Sequence, residues 1–411
     1  MNSEQVQRRT IRTLMTANAF GYAGFVAVVA VSALLASEML GSDSIAGVPA
    51  AAATLGTAVA AAPLAQRSMR MGRRRGIWVG YAAGMAGGAM AFVAGQSGLF
   101  WLLVFAMVAV GVGNTSNLQN RFAAADLAQE GSRARAISMV VWVGTIGAVI
   151  GTPAALWANR VGESVGVARW ASPMLLGVVG FGVAGLVIEG LLRPDPLELA
   201  GGVDSTARRE NPIKGAGRSL RLVWPNFDAR LAIIAMAVGQ MAMVAVMTMT
   251  PLYMKDHGHA ELSIVVIAVH VLGMFGLSPL IGGWADRFGR VRAVQVGAII
   301  LGAGTVTAVI AGYSPVLVFI GLFLLGLGWS VAIIAGSALL TESLPESERV
   351  PAQGLADVTM SLVGAAAAFS SGFVKEIVGY HWLANFATFA AILLLIGASW
   401  IRSRQVAVVV G

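Results

Sequence analysis

Cysteine is absent from the 411 residues of this chain, and charged residues make up only 12% of them. Without thiols the chain has no disulfide, no cysteine nucleophile and no cysteine metal ligand, although the compartment is left undecided. A soluble domain carries roughly 25% charged residues, and charge this sparse cannot cover a water-exposed surface of this size. Because 57% of the residues are hydrophobic, we expect a lipid bilayer to be their solvent.

Motifs of ATP-driven pumps and of common hydrolases are missing as well. No G-x-x-x-x-G-K-S/T sequence occurs, so an ATP-driven pump would need another chain. Neither G-x-S-x-G nor H-E-x-x-H is present. His257 and His259 stand two residues apart without further obvious ligands nearby. We therefore expect no enzymatic activity, no cofactor and no metal site.

Twelve apolar stretches are long enough to cross a membrane, which takes about 20 mostly apolar residues. The first six lie near residues 13–37, 44–65, 76–95, 98–125, 135–158 and 170–192. The last six lie near residues 229–253, 262–284, 293–312, 315–341, 353–374 and 380–401. We predict an all-α membrane protein with an N-terminal six-helix bundle (1–192), a polar cytoplasmic linker (193–228) and a C-terminal six-helix bundle (229–411).

Basic residues segregate to one side of these spans. If the N-terminus is inside and the spans alternate, the outside loops hold only four of the 28 lysines and arginines, namely Arg160, Arg169, Lys255 and Lys375. Cytoplasmic loops are enriched in lysine and arginine. The net charge of +8 therefore indicates membrane topology and not nucleic-acid binding. We predict a multi-pass protein of the inner (plasma) membrane with both termini in the cytoplasm.

The two halves echo each other. Gly111-Val112-Gly113 in span four returns as Gly326-Leu327-Gly328 in span ten, and Gly72-Arg73 after span two returns as Gly289-Arg290 after span eight. The distance in sequence from each motif to its second copy is nearly the same for both motifs. This indicates a six-helix unit present twice. Transporters with parallel repeats of this kind bind substrate near the membrane midplane, where the repeats meet.

The loop after span eight reads GGWADRFGRVR from Gly282 to Arg292. It resembles the signature loop of the major facilitator superfamily, G-x-x-x-D-R-x-G-R-K/R, with the last basic position shifted by one residue. The resemblance extends to the whole chain and implies the two-bundle fold and secondary transport. It also implies a conformational gate in this loop, formed by Gly282, Asp286, Arg287, Gly289 and Arg290. The alternative is that these arginines only fix the topology.

The matching loop of the first half departs from the pattern. Gly72, Arg73 and Arg74 keep its glycine and basic positions, but Met69 occupies the acidic position. Because the aspartate is missing, a gate here needs another carboxylate or is weaker.

Span five carries Gly144, Gly147, Gly151 and Pro153. The spacing resembles the glycine–proline motif of the antiporter branch of the superfamily, although Thr152 separates its last glycine from the proline. Small residues at this spacing also let helices pack closely. This motif and the general likeness of the chain to bacterial drug-efflux members of the superfamily favour export over uptake.

Polar side chains at membrane depth are candidates for substrate binding. Asn114, Asn117 and Arg121 share one face of span four. Arg121 is expected to bind an anionic substrate group or a carboxylate, or else to extend toward the cytoplasmic interface. In the superfamily spans one, four, seven and ten line a central cavity, and this resemblance adds Asn18, Tyr22, Gln240, Met243 and Trp329.

Two side chains are candidates for proton coupling. Asp357 lies just inside span eleven, where a partly buried carboxylate can titrate or simply favour the start of the helix. His270 lies within span eight and is a plausible proton carrier, or a hydrogen-bonding partner of a neighbouring helix.

These observations predict a monomeric secondary transporter that works by alternating access. We expect it to export a small amphipathic or drug-like molecule in exchange for protons across the lipid bilayer. Proton-coupled uptake of a metabolite is the alternative within transport. A non-transporting receptor or scaffold is the alternative of another class.

Overall fold

The computed structural model describes residues 3–41, 45, 47–204, 212–256, 258, 262–312 and 314–410. Within these ranges the chain forms helices and no strand. The helices are α1 (Ser3–Leu40), α2 (Val48–Met71), α3 (Arg73–Ser97), α4 (Phe100–Ala125), α5 (Arg133–Trp142), α6 (Gly144–Ser164), α7 (Met174–Leu191), α8 (Pro196–Leu199), α9 (Pro212–Val223), α10 (Phe227–Asp256), α11 (Ser263–Phe275), α12 (Ser278–Phe288), α13 (Arg290–Ile310), α14 (Pro315–Glu342), α15 (Glu346–Val378) and α16 (Tyr380–Val410).

Twelve segments among the described residues are helical, long and apolar enough to cross a membrane. Nine of them lie in single helices. Span five (Arg133–Ser164) contains α5 and α6, span six (Met174–Leu199) contains α7 and α8, and span eight (Val265–Phe288) contains part of α11 and all of α12. The predicted all-α membrane fold with twelve spans is confirmed.

Several helices extend beyond the apolar stretches that predict them. Helix α1 begins at Ser3 and α15 begins at Glu346, several residues before the predicted starts of spans one and eleven. The backbone hydrogen bonds of a helix continue through charged residues. A search for apolar stretches excludes these residues, so it does not detect the first turns of α1 and α15. Glu4 in α1 and Glu346 in α15 lie in first turns, where the helix dipole favours a negative charge.

The repeated glycines make equivalent helix contacts in the two halves. A Cβ on Gly111 would lie 1.9 Å from the Ala53 carbonyl oxygen of α2, and one on Gly326 would lie 2.4 Å from the His270 carbonyl oxygen of α11. Two residues further on, the glycines at 113 and 328 pack equally closely against α3 and α13. These contacts leave no room for a side chain. The repeated sequence therefore marks the same backbone-to-backbone packing twice.

The chain divides into two compact units. The first comprises Met1–Ala128, Val143–Arg218 and Glu346–Val358. The second comprises Gln129–Trp142, Ser219–Pro345 and Thr359–Gly411. The predicted domain limits at 192 and 229 stay a prediction. Within the predicted linker lie α8 and α9, while residues 205–211 are outside the described ranges, as are His257 and His259.

Candidate functional site

A buried polar cluster joins α1, α3 and α4 in the first unit. The Tyr81 hydroxyl donates to Asn117 Oδ1 at 2.9 Å and accepts from Asn120 Nδ2 at 2.6 Å. Asn120 Nδ2 also donates to Asn18 Oδ1 at 3.2 Å, and Asn117 Nδ2 donates to Asn114 Oδ1 at 3.3 Å. Three of the residues proposed from the sequence, Asn18, Asn114 and Asn117, therefore belong to one hydrogen-bonded cluster.

Tyr81 and Asn120 complete this cluster, and the sequence reasoning missed both. Each is fully buried, and among the described residues the Asn120 Oδ1 atom has no hydrogen-bond partner. A buried acceptor left unpaired costs about 1–3 kcal/mol, so this atom is suited to a donor from a bound solute or water. Asn120 lies three residues after Asn117, and this helical spacing was the signal that could have found it.

Tyr22, the remaining candidate in span one, lies half-buried beside α6. A Cβ on Gly147 would lie 2.9 Å from the Tyr22 Cβ atom, and the Tyr22 ring lies 6.2 Å from the Phe25 ring. The predicted small-residue motif of span five thus provides the close approach of α6 to α1.

The candidates of the second unit form an aromatic and amide group. Trp329 Nε1 donates to Gln240 Oε1 at 2.8 Å, and the Phe275 ring meets the Trp329 ring edge-on at 5.6 Å. A Cβ on Gly364 would lie 3.1 Å from the Gln240 side chain, which therefore approaches α15 closely. Met243 is buried on the same helix as Gln240. This group presents an indole, an amide and apolar surface.

Arg121 and Asp357 form a buried ion pair in the first unit. Arg121 Nη2 lies 2.6 Å from Asp357 Oδ1, and their side chains are 3% and 0% exposed. Arg121 Nη1 donates to the Leu118 carbonyl oxygen at 2.9 Å, and the guanidinium lies 4.4 Å from the Phe122 ring centre. Among the described residues, Asp357 Oδ2 has no hydrogen-bond partner. Two candidates proposed separately from the sequence are thus brought together.

One turn earlier on α15, Gln353 reaches a second buried arginine. Arg73 binds Asp126 through two hydrogen bonds of 2.7 and 3.0 Å, and its Nη2 atom also donates to Gln353 Oε1 at 2.7 Å. Asp126 lies just beyond the fourth span. Burial raises the pKa of the Asp126 carboxyl, while the positive charge of Arg73 opposes that rise. Gln353 and Asp357 therefore hold the start of α15 against α3 and α4.

Asp195 supplies the second carboxylate of the first-half loop. Its oxygens accept from the backbone amides of Arg73 at 3.1 Å and Arg74 at 2.8 Å. It also caps α8 by accepting from the Leu197 amide at 3.0 Å. Gly72 has φ of 87°, and a Cβ there would lie 2.4 Å from Asp195 Oδ2. The Asp195 cap therefore requires glycine at position 72.

Met69, at the acidic position of the motif, has an apolar role. It packs in a buried cluster with Ala65, Leu197 and Val350, and its carbonyl oxygen accepts from the Asp204 amide at 2.9 Å. The Arg74 guanidinium binds Glu189 at the end of α7. The first-half loop thus uses Asp126 and Asp195 in place of the missing aspartate. Asp195 follows a proline in a polar segment, and the sequence reasoning read that segment only as a linker.

The loop after span eight holds the start of span five within the second unit. Asp286 accepts from the backbone amides of Ala134 at 3.0 Å and Arg135 at 2.8 Å. Arg290 Nη2 lies 2.7 Å from Asp286 and 2.7 Å from Glu342. The carboxylate therefore caps the first turn of α5, where free amides and the helix dipole favour a negative charge.

The remaining predicted gate residues differ in their surroundings. Gly289 has φ of 98°, a conformation that glycine adopts without strain. A Cβ on Gly282 would lie 2.2 Å from Ser138 Oγ, so α12 packs directly on α5. Arg287 is exposed, and its guanidinium lies 5.3 Å from the Phe288 ring centre. Within the described ranges Arg287 forms no ion pair.

His270 is buried between α11 and α14. Its Nδ1 atom lies 2.7 Å from the Leu322 carbonyl oxygen, which only a protonated Nδ1 satisfies. Its Nε2 atom has no hydrogen-bond partner among the described residues, and the side chain is fully inaccessible. The histidine fastens one helix of the second unit to another.

Twelve spans, equivalent glycine contacts in both halves and paired charged loops define a membrane transporter built from a repeated unit. A model of the Major Facilitator Superfamily matches residues 13–277 and 259–408. The MFS-type transporter YddS of Bacillus subtilis (strain 168) is 35% identical over 402 residues, covering 97% of this chain and 92% of the relative. The chain belongs to the major facilitator superfamily, whose members are transporters and not enzymes.

Other similar proteins agree with this assignment. The riboflavin transporter RfnT of Brucella anthropi is 26% identical over 402 residues, covering 96% of both chains. The proton:xylose symporter XylE has a TM-score of 0.74 at 14% identity, covering 96% of this chain and 95% of that one. A bacterial homologue of the iron transporter ferroportin has a TM-score of 0.74 at 13% identity, covering 96% and 99%. These two structures support the fold alone.

Proposed function

We propose that this protein is a proton-coupled secondary transporter that exports a small amphipathic or drug-like molecule by alternating access. The buried pair of Arg121 and Asp357 is the observation that carries the proposal. Its side chains are almost fully inaccessible and lie 2.6 Å apart. Because desolvation largely offsets the attraction of buried charges, such a pair adds little net stability. A role as a switch gives a reason for its presence.

Protonation of Asp357 would supply that switch. A neutral carboxyl loses most of its attraction for Arg121 and leaves the guanidinium charge uncompensated. The same arginine then becomes available to another acceptor, including an anionic group of a substrate. Asp357 is preferred over His270 as the coupling residue because it is bound to a charge from another helix, whereas His270 is bound to a backbone carbonyl.

In each unit taken by itself, the candidate side chains suit a substrate that carries rings or hydrogen-bonding groups. Asn18, Tyr22, Asn114 and Asn117 would offer amides and a phenol from the first unit. Gln240, Met243 and Trp329 would offer an amide, a thioether and an indole from the second. The free Asn120 Oδ1 atom would accept a donor. Riboflavin, which names the relative RfnT, has this character and belongs in a substrate screen with lipophilic cations.

The charged loops serve as the gate in this proposal. Asp286 and Arg290 hold the loop after span eight against the start of α5. In the first-half loop, Asp126 binds the Arg73 side chain and Asp195 binds the backbone amides of Arg73 and Arg74. Breaking and reforming these contacts would accompany alternation. The distribution of arginine supports cytoplasmic termini and an inner (plasma) membrane location, and a single chain containing both halves supports a monomer.

Transport in proteoliposomes under an imposed pH gradient tests both coupling and direction. At equilibrium the direction of accumulation depends on the coupling and not on the orientation of the protein in the vesicle. Accumulation of a screened compound in vesicles with an acidic lumen would establish exchange for protons, the export mode. Accumulation in vesicles with an alkaline lumen would establish symport and replace export by uptake. Downhill flux without accumulation under either gradient, with or without a protonophore, would reject proton coupling.

A further inference from the structure

An aromatic turn lies between α9 and α10 in the second unit. Trp224 and Phe227 flank Pro225 and Asn226, and both rings are exposed, at 64% and 40%. Asn226 fixes the turn, because its Oδ1 atom accepts from the Ala229 amide at 3.0 Å and its Nδ2 atom donates to the Ser343 carbonyl oxygen at 2.7 Å. The rings are therefore held in place although they face outward.

Arg230 lies across both rings. Its guanidinium carbon is 5.3 Å from the Trp224 ring centre and 4.4 Å from the Phe227 ring centre, within the range of cation–π attraction. Among the described residues, no side chain or carbonyl oxygen accepts a hydrogen bond from its guanidinium, and no carboxylate pairs with it. A cation is thus positioned by two rings while its N–H donors stay free.

The Phe227 ring also meets the Trp400 ring edge-on at 5.3 Å. Span seven begins at Phe227, and span twelve ends at Ser403, three residues after Trp400. The group formed by Trp224, Phe227, Arg230 and Trp400, here called the Trp224 surface, therefore lies at the end of two membrane spans. Tryptophan is enriched at this level of a bilayer, where its ring contacts acyl chains and its N–H faces the headgroups.

The charge around this surface is positive. Arg221 is exposed one turn before Trp224, and Arg402 is half-buried near Trp400, where it donates to Gln295 at 3.1 Å. Asp228 is the one acidic residue within the Trp224–Arg230 segment. Three arginines against one aspartate favour an anionic partner, and basic pockets at the ends of membrane spans are suited to acidic lipid headgroups.

We propose that the Trp224 surface binds the headgroup of an anionic phospholipid. The lipid phosphate accepts charge-assisted hydrogen bonds from the free face of Arg230. The exposed rings of Trp224 and Trp400 pack on the glycerol and the first methylenes of the acyl chains. The lipid occupies the junction of α9, α10 and α16, and its binding does not depend on the direction of transport or on the coupling ion.

Lipid binding to the purified full-length protein tests the proposal. Native mass spectrometry with phosphatidylglycerol and phosphatidylcholine is expected to show preferential retention of phosphatidylglycerol. Arg230→Gln is expected to weaken phosphatidylglycerol binding about fivefold to tenfold, as for the loss of one arginine near a lipid phosphate. Trp224→Leu, which keeps the charge but removes a ring, is expected to weaken binding of the same lipid. Thermal melting of each variant verifies that it is folded.

Arg287→Gln is the matched control. Arg287 is exposed at the end of span eight, in the same unit, and lies over one aromatic ring. Its loss is expected to leave phosphatidylglycerol binding unchanged. Equal weakening by Arg230→Gln and Arg287→Gln would overturn the proposal, because both would then act through net charge alone. Equal retention of the two lipids by the unmodified protein, or displacement of phosphatidylglycerol by equimolar inorganic phosphate, would overturn it as well.

Discussion

Replacement of Asp286 by alanine is expected to release the start of span five. Asp286 accepts two backbone hydrogen bonds from α5 and binds Arg290 at 2.7 Å. Alanine removes all three contacts at once. Arg290 keeps Glu342 at 2.7 Å and the Ala285 carbonyl oxygen at 2.8 Å, so its guanidinium is not left without partners. The main loss is therefore the cap on α5.

The size of this effect follows from the contacts that are lost. Substituting a helix cap by alanine costs about 0.5–2 kcal/mol, and a hydrogen bond to a charged group contributes about 1.5–3 kcal/mol. Allowing for water to replace part of both, we expect local release of α5 to become easier by about 2–3 kcal/mol. This corresponds to an increase of roughly 30-fold to 150-fold in the released population.

A cysteine introduced at Ser138 would report this release. The chain has no cysteine of its own, and Ser138 is fully buried where α5 packs on Gly282. All samples carry Ser138→Cys. In Asp286→Ala, the rate of alkylation by a small maleimide is expected to rise roughly 30-fold to 150-fold, in proportion to the released population.

Arg287→Ala serves as the control for the same loop, because its exposed side chain lies 5.3 Å from the Phe288 ring centre and forms no ion pair among the described residues. Its alkylation rate should match that of the unmodified loop. Equal rates in Asp286→Ala and Arg287→Ala would refute the role of Asp286 as the cap that holds α5.

Three further predictions concern the other buried groups. Asp195→Ala is expected to lower the free energy of unfolding by about 1–2 kcal/mol in thermal or denaturant melting, whereas Glu198→Gln should have little effect; equal losses would contradict the cap. Because burial raises the pKa of Asp126 in the folded protein, its contribution to stability is largest below the ordinary carboxyl pKa and is lost as pH rises through the raised value. Melting temperatures measured over that interval should show this slope, and Asp126→Asn should flatten it; an unchanged slope would contradict it. His270→Gln is expected to reduce thermal stability without changing the ratio of protons to substrate, and a changed ratio would restore His270 as a coupling residue.

The spans could be predicted from the sequence because apolar length is a local property. Twenty consecutive residues are enough to recognise a membrane helix, and the structure confirms twelve. The helix ends were less accessible. Helix α15 starts at Glu346 because hydrogen bonding continues through charged residues that apolar counting excludes.

The candidate sites were predicted residue by residue but not as groups. Arg121 and Asp357 were each proposed, yet they are separated by 236 positions, and no local pattern reveals that they pair. Asp195 was missed because its role depends on a contact with the amides of Arg73 and Arg74, 121 or more positions away. Met69 is the opposite case. The sequence shows that the motif aspartate is absent at this position, but it does not show that Asp126 and Asp195 take its place.

Proton movement driven by a substrate gradient tests the central claim most directly. Proteoliposomes containing a pH-sensitive dye would receive a gradient of a transported compound and no initial pH gradient. We expect the unmodified protein and Glu346→Gln, an exposed change on the same helix as Asp357, to move protons against the direction of the compound. We expect Asp357→Asn to carry the compound downhill without proton movement, and the double variant Arg121→Gln/Asp357→Asn, which leaves no buried charge unpaired, to do the same. Proton movement that persists in a folded Asp357→Asn protein would contradict the account.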